Sequence, residues 1–207
     1  MQTSDPKSYV HQQTGLGHHH AYLLPPIIKY LGKPCGRSLF EIGFGNAAAA
    51  HYFHETGFQV SGIEPSSDGV SLARSLYPEM TGLHEGNAYE DLAGKYGAFD
   101  IVLSLEVVEH LYSPRNFAEN AFKLLKGGGV AIISTPYNGW LKNVALAVLG
   151  RFDHHHSPLW DHGHIKFWSI ATLNQLLCDA GFSDIQFVRV GRIPPLAKSM
   201  IAIAKKP

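Results

Sequence analysis

Residues Ser38 to Ala50 read SLFEIGFGNAAAA, and this stretch decides the fold. Leu39, Phe40 and Ile42 form a short apolar run of the kind that makes a buried strand. Gly43 and Gly45 follow at once, and then comes the helix-forming run Ala47 to Ala50. Strand, glycine turn and helix in this order leave backbone N–H groups at the helix start pointing at whatever sits there. The glycines let the chain turn sharply and let a ligand approach with no Cβ in the way.

Two cofactor classes use such a turn. Gly43, Gly45 and Ala48 satisfy the dinucleotide spacing G-x-G-x-x-G/A, so spacing alone leaves both open. Glu41 separates them. A carboxylate at the strand end repels a pyrophosphate and favours a cationic ligand, such as the methionine part of S-adenosylmethionine with its ammonium and sulfonium groups. A strand-end Glu that simply faces water is the plain alternative.

Outward from this turn the chain alternates. A helix over Ala47 to Thr56 stops at Gly57, and Phe58 to Ile63 is a second strand closed by Glu64. Glu64 stands about 20 positions past the glycines, where an acid accepts hydrogen bonds from ribose hydroxyls. Pro65 and Ser66 begin a turn, and Ser67 or Asp68 caps the helix Gly69 to Leu76. A short third strand over Thr81 to His84 ends in Gly86, Asn87 and Ala88. Asn87 has two readings there, a contact to an adenine amino group or a cap on its own turn. Phe99 to Leu105 is a continuous apolar strand, as a central parallel strand requires. An amphipathic helix over Phe117 to Leu125 ends at Gly127 to Gly129, and Val130 to Ser134 is the fifth strand.

The C-terminal part departs from this rhythm. Tyr137 to Trp168 holds an apolar helix, Trp140 to Leu149, and a His-, Pro- and Trp-rich loop; so long a connection reads as a lid or substrate-side insertion. That helix is apolar nearly all round, so it is buried or touches something apolar. Burial as a lid comes first, with a lipid-like substrate, a dimer or a membrane surface as alternatives; Lys142 and Arg151 flank it. A helix from Ser169 or Thr172 runs through Asp179 and stops at Gly181. Ile185 to Val190 and Ser199 to Ala204, with no helix between them, pair antiparallel. At the other end, Ala21 to Leu31 is a short helix broken or started by Pro25 and Pro26, and Tyr9, His11 and His18 have two readings, a surface arm ahead of the first strand first and the lining of a pocket second. The whole predicts an α/β fold, a doubly wound, mostly parallel seven-stranded sheet with an antiparallel last strand. It is one domain over 1–207, with an arm over 1–36 and an insertion over 137–168.

Composition narrows the function classes. The 207 residues carry 17 Lys+Arg against 17 Asp+Glu, which argues against a dedicated nucleic-acid binder. The N-terminus is polar and no apolar run reaches membrane-spanning length, so a cytoplasmic protein is expected. Cys35 and Cys178 lie far apart without metal spacing and read as reduced and structural. The 13 histidines cluster at His18 to His20, His154 to His156, and His162 with His164.

With these residues in hand the chain resembles the class I S-adenosylmethionine-dependent methyltransferases from about Leu39 to Lys205. The markers are the EIGFG turn, Glu64, FDIVLSLEVVEHL, LLKGGG, the ISTP strand end and the terminal strand pair. EVVEHL with the later HIKFW is similar to the ubiquinone-biosynthesis type of O-methyltransferase, and more faintly to small-RNA 2′-O-methyltransferases. The resemblance implies that Gly43 and Gly45 admit S-adenosylmethionine, that Glu41 lies near its aminoacyl end and that Glu64 holds the ribose. Asn87 and Ala88 would flank the adenine, Leu105 and Glu106 would line the pocket floor, and Pro65 would be a further cofactor-binding residue. Many relatives have Asp where this chain has Asn87.

Methyl transfer to oxygen needs the acceptor's proton removed or its charge stabilised. Glu106, Glu109 and His110 stand at i, i+3 and i+4, so on a helix they share one face. Two carboxylates and an imidazole suit a divalent cation such as Mg²⁺, Mn²⁺ or Zn²⁺. The resemblance adds His164 as a further ligand. Without a metal, His110 or His164 is the general-base candidate, with Asp161 and His162 next, while His154 to His156 read as a solvated loop. The expected acceptor is small or lipid-like, with membrane-surface contact through 140–149 and no nucleic acid. Transfer to carbon or nitrogen, a nicotinamide-dependent oxidoreductase, and a cofactor-binding protein without turnover are the competing classes.

Overall fold

The computed structural model describes residues 15–156, 158–161 and 163–207. Tyr9, His11 and His162, singled out above, lie outside the described residues. One sheet holds β1 (Ser38–Ile42), β2 (Gln59–Glu64), β3 (Leu83–Glu85), β4 (Phe99–Leu105), β5 (Leu125–Pro136), β6 (Ser183–Val190) and β7 (Ser199–Lys205). Their order is β3-β2-β1-β4-β5-β7-β6. β3, β2, β1, β4 and β5 pair parallel, and β7 runs antiparallel between β5 and β6. The expected seven-stranded, mostly parallel sheet with an antiparallel strand pair is therefore present. β2 and β4 flank β1 on opposite sides, so a crevice opens above the C-terminal ends of β1 and β4, where the winding reverses.

The helices are α1 (His20–Leu31), α2 (Ala48–Glu55), α3 (Ser67–Leu76), α4 (Leu92–Tyr96), α5 (Pro114–Lys123), α6 (Trp140–Val148), α7 (Phe152–His156) and α8 (Ile170–Asp179). Side chains alternate across β1 and split the core. Leu39 packs with Leu23 and Ile27 of α1 and Phe53 of α2. Phe40 and Ile42 point the other way, toward Phe117 of α5 and Leu173 and Leu177 of α8. α8 starts on a capping box between Ser169 and Thr172. α3 is capped by Ser66, whose Oγ accepts the Gly69 N–H, rather than by Ser67 or Asp68.

Four expectations give way. Pro25 and Pro26 neither start nor break α1 but lie inside it. Each interior proline costs about 3 kcal/mol. Burying Leu23, Leu24, Ile27 and Leu31 contributes about 2 kcal/mol apiece, so packing outweighs propensity. Gly127 to Gly129 do not terminate a helix but open β5. There β5 advances five residues, Leu125 to Val130, while β4 advances two, Phe99 to Ile101. Gly128 fills this bulge at φ +78° and donates its N–H to Lys206 O.

α6 is not buried as a lid. None of its residues is buried, and Trp140 and Val148 are 76% and 80% exposed. Cys35 and Cys178 are free and exposed, so neither has a structural role in the core. Among the described residues no helix is long and apolar enough to cross a membrane.

Candidate functional site

The glycine turn sits at the mouth of the crevice. Gly43 and Gly45 hold φ of +79° and +57°, and Ala47 follows at +59° as the residue that starts α2 without a side-chain cap. A carboxylate replaces that cap. Glu41 lies on β1, only 2% exposed, and takes a backbone hydrogen bond from Ala50 in the first turn of α2. Its Oε2 has no hydrogen-bond partner. Burial, and then the charge of Glu64, pushes the Glu41 carboxyl up to about 8. Glu41 thus does not face water as a plain strand-end acid would.

Glu64 ends β2 beside the same turn. Its Oε2 accepts the Gly45 N–H at 2.9 Å and its Oε1 the Ser66 N–H at 3.0 Å. Two buried carboxylates therefore border one glycine turn. Gly43 is crowded from above: a Cβ there would stand 2.6 Å from Val107 Cγ2, so the segment after β4 closes directly over the turn. Leu105 is buried at the end of β4, while Pro65 is exposed on the turn after β2. Asn87 caps its own turn, its Oδ1 accepting the Tyr89 N–H at 3.0 Å, and its side chain is exposed. Ala88 is buried, and its carbonyl is held by Asn120 of α5, a residue that sequence reasoning missed.

The residues after β4 do not form the expected helix. Glu106 takes φ +55°, and only Val108–His110 makes a single 3₁₀ turn. Glu106 and Glu109 consequently do not share one helical face, although the charge of Glu106 still reaches Glu109. Glu106 Oε1 accepts from Ser134 Oγ at 2.8 Å and Oε2 from Ser199 Oγ at 3.2 Å, which anchors it to β5 and β7. Burial raises its carboxyl to about 7. Glu106 therefore drops out of the proposed ligand set.

Glu109, His110 and His164 do come together, each offering a ligand atom within 4.8 Å of the others. Glu109 is 1% exposed, and its carboxyl meets only its own backbone N–H and the Thr135 hydroxyl, neither in good hydrogen-bond geometry. Burial, and then Glu106, drives its carboxyl well above the usual range. His164 Nε2 lies 3.9 Å from Glu109 Oε1. Burial, followed by the neighbouring His110, holds the His164 imidazole down to about 4.

Backbone hydrogen bonds bring these distant segments together. The N–H groups of Ile165 and Lys166 both donate to Glu109 O, and Trp168 Nε1 donates to Val108 O. Trp160 packs on both imidazoles, with ring centroids 6.2 Å from His110 and 5.4 Å from His164. No pattern in the sequence marked Trp160, Ser134 or Ser199. Asp161 is exposed and is not part of the cluster, and His154 to His156 form the short α7 rather than a loop.

A sheet of this order with an acid beside a glycine turn at the end of β1 defines a class. A family model described as a methyltransferase domain matches residues 16–186. The chain belongs to this family of S-adenosylmethionine-dependent methyltransferase domains. It is 35% identical over 118 residues to a ubiquinone biosynthesis O-methyltransferase of Caulobacter vibrioides, covering 56% of this chain and 46% of that one. A protein of the same description from Burkholderia mallei is 31% identical over 167 residues, 79% of this chain and 71% of the relative. The chain thus spans about half the length of the first relative and just over two thirds of the second.

Among solved structures, a SAM-dependent methyltransferase from Archaeoglobus fulgidus superposes with a TM-score of 0.67 at 17% identity, covering 88% of this chain and 91% of that one. Magnesium protoporphyrin IX methyltransferase from Synechocystis, with bound S-adenosylhomocysteine, gives 0.67 at 18% identity over 88% and 81%. The likeness in fold confirms the expected Rossmann-like methyltransferase sheet.

Proposed function

We propose that this chain transfers a methyl group from S-adenosylmethionine to an oxygen of a small or lipid-like acceptor. The observation that carries the cofactor assignment is Glu41. A buried carboxyl with one unpartnered oxygen, beside a turn that a Cβ would block, fits a cationic ligand that draws off its proton, and the charge of the neighbouring Glu64 repels a diphosphate. The cofactor brings the activated methyl group and a good leaving group, so the protein's task is mainly alignment. In this reading Glu41 takes the ammonium end, and Glu64 receives the ribose hydroxyls. Pro65, Asn87 and Ala88 border the adenine, and Leu105 and Glu106 form the floor.

The acceptor end is the Glu109, His110 and His164 cluster. Its two imidazoles accept or relay the proton of an acceptor hydroxyl. The same three residues fit a divalent cation such as Mg²⁺, Mn²⁺ or Zn²⁺, because a buried carboxyl with only weak hydrogen-bond contacts meets two imidazoles there. Such a cation would lower the pKa of a bound hydroxyl. The relatives described as ubiquinone biosynthesis O-methyltransferases support an oxygen acceptor.

The exposed apolar face of α6, with Trp140, Val144 and Val148, supports a second element of this reading: contact between residues 140–149 and a lipid surface. The deciding experiment is a thermal melt with S-adenosylhomocysteine and with NAD, followed by methyl transfer from labelled S-adenosylmethionine to a panel of diphenols. Stabilisation by S-adenosylhomocysteine alone, with label in a methyl ether, is expected. Stabilisation by NAD alone overturns the reading.

A further inference from the structure

A cavity of about 330 Å³ lies between the insertion and the connection from β6 to β7. Its charged lining is one-sided. Lys142 of α6, Arg151 before α7, and Arg192 and Lys198 from the β6–β7 connection all line it, with His155 and His156 beside them. No Asp or Glu lines it, although the chain as a whole has 17 acids for its 17 cations. Among the described residues none of the four cations makes an ion pair. Lys142 Nζ donates to Tyr137 O at 2.9 Å, and Lys198 Nζ lies 5.5 Å from the Tyr22 ring centroid. Arg151 and Arg192 are exposed.

These charges oppose one another. Burial and then Arg192 lower the Lys142 ammonium, and burial and then Lys142 lower the His155 imidazole. Glu106, the carboxylate that Lys142 senses, is hydrogen-bonded to Ser134 and Ser199 and does not line the cavity. The remaining wall is apolar, with Leu146, Leu149, Phe167 and Leu196. His164 belongs both to this cavity and to the cluster with Glu109 and His110.

We propose that this cavity receives the anionic head, carboxylate or phosphate, of an amphipathic methyl acceptor, gripped by Lys142, Arg151, Arg192 and Lys198. That the bound anion is a methyl acceptor rests on the methyl-transfer reading, whereas the anion site does not. The apolar wall takes the ligand's body, and the shared His164 places that body beside the imidazoles. Arginine forks match an oxyanion two bonds at a time, and a partly enclosed site screens them less than bulk water does. A cavity of this size holds a small molecule and excludes a folded or duplex polymer.

The test uses the full chain and three probes: 3,4-dihydroxybenzoate, its methyl ester and 3,4-dihydroxybenzylphosphonate. Dissociation constants are measured by calorimetry with and without S-adenosylhomocysteine, for wild type and for Arg151→Gln/Arg192→Gln, both exposed positions. The acids should bind about tenfold more tightly than the ester, and the double variant should remove that preference while changing ester affinity less than about twofold. The tighter of the two acids names the head group. Equal binding of acid and ester by wild type overturns the proposal, as does an equal loss for both in the variant. A variant that loses only binding to vesicles of anionic lipid also overturns it, assigning the charge to a bilayer surface. If S-adenosylhomocysteine fails to bind while the acids still bind selectively, the methyl-transfer reading fails and the anion site stands.

Discussion

Replacing Glu41 by glutamine separates what this carboxylate does for folding from what it does for a ligand. Glu41 is buried, and burial together with Glu64 raises it from 4.5 to about 8. The sign follows from linkage. Below pH 4.5 both the native and the unfolded chain hold the proton. Between 4.5 and about 8 the native chain keeps it while the unfolded chain has lost it, so stability present at low pH is lost as pH rises through the folded value. That interval, at 1.36 kcal/mol per pH unit, amounts to about 5 kcal/mol.

Urea melts of wild type and Glu41→Gln at several pH values should therefore diverge by about 1.4 kcal/mol per pH unit between pH 5 and 8, wild type losing stability faster. A constant offset from the altered hydrogen bonding does not affect this slope. Parallel curves would refute the reasoning. The same group makes a second measurement possible. At pH 7 a carboxyl near 8 is about nine-tenths protonated. A ligand ammonium beside it drives that proton off, so calorimetry in two buffers of different ionisation enthalpy should find close to one proton released per S-adenosylmethionine at pH 7, fading by pH 9. Glu41→Gln should release none and bind about 10- to 100-fold more weakly.

Three further outcomes are expected. Gly43→Ala forces a Cβ to 2.6 Å from Val107 at φ +79°, and should cost about 1–3 kcal/mol in a denaturant melt and remove stabilisation by S-adenosylhomocysteine. Mn²⁺ binding followed by paramagnetic resonance should be lost in Glu109→Gln and His164→Ala but kept in Glu106→Gln, whose oxygens already serve Ser134 and Ser199. Equal loss in all three variants would restore Glu106 to the ligand set. Trp140→Ser, at a site 76% exposed, should move stability by less than about 0.5 kcal/mol yet lower sedimentation with lipid vesicles, and unchanged sedimentation would remove α6 as a membrane contact.

What the sequence determined by itself is local. The bounds of β4, Phe99–Leu105, were legible because a central parallel strand is apolar throughout, and the turn at Gly43 and Gly45 because only glycine takes its backbone without strain. The antiparallel β6–β7 pair followed from the missing helix between two strands. The tertiary structure decided the rest, because long-range partners outweigh local preference. Pro25 and Pro26 stay in α1 because the sheet buries its apolar face, and three glycines lie in β5 because the chain end pairs with the bulge.

At the site, helical spacing predicted that Glu106 and Glu109 would converge, but hydroxyls on β5 and β7 draw Glu106 away, and only Glu109 stays with His110 and His164. The burial that lifts Glu41 and Glu109, the exposure of α6, and the meeting of Lys142 and Arg151 with Arg192 and Lys198 have no trace in the linear pattern. Each depends on which surfaces face one another once the sheet is wound, and charge and solvation act across that space without regard to sequence distance.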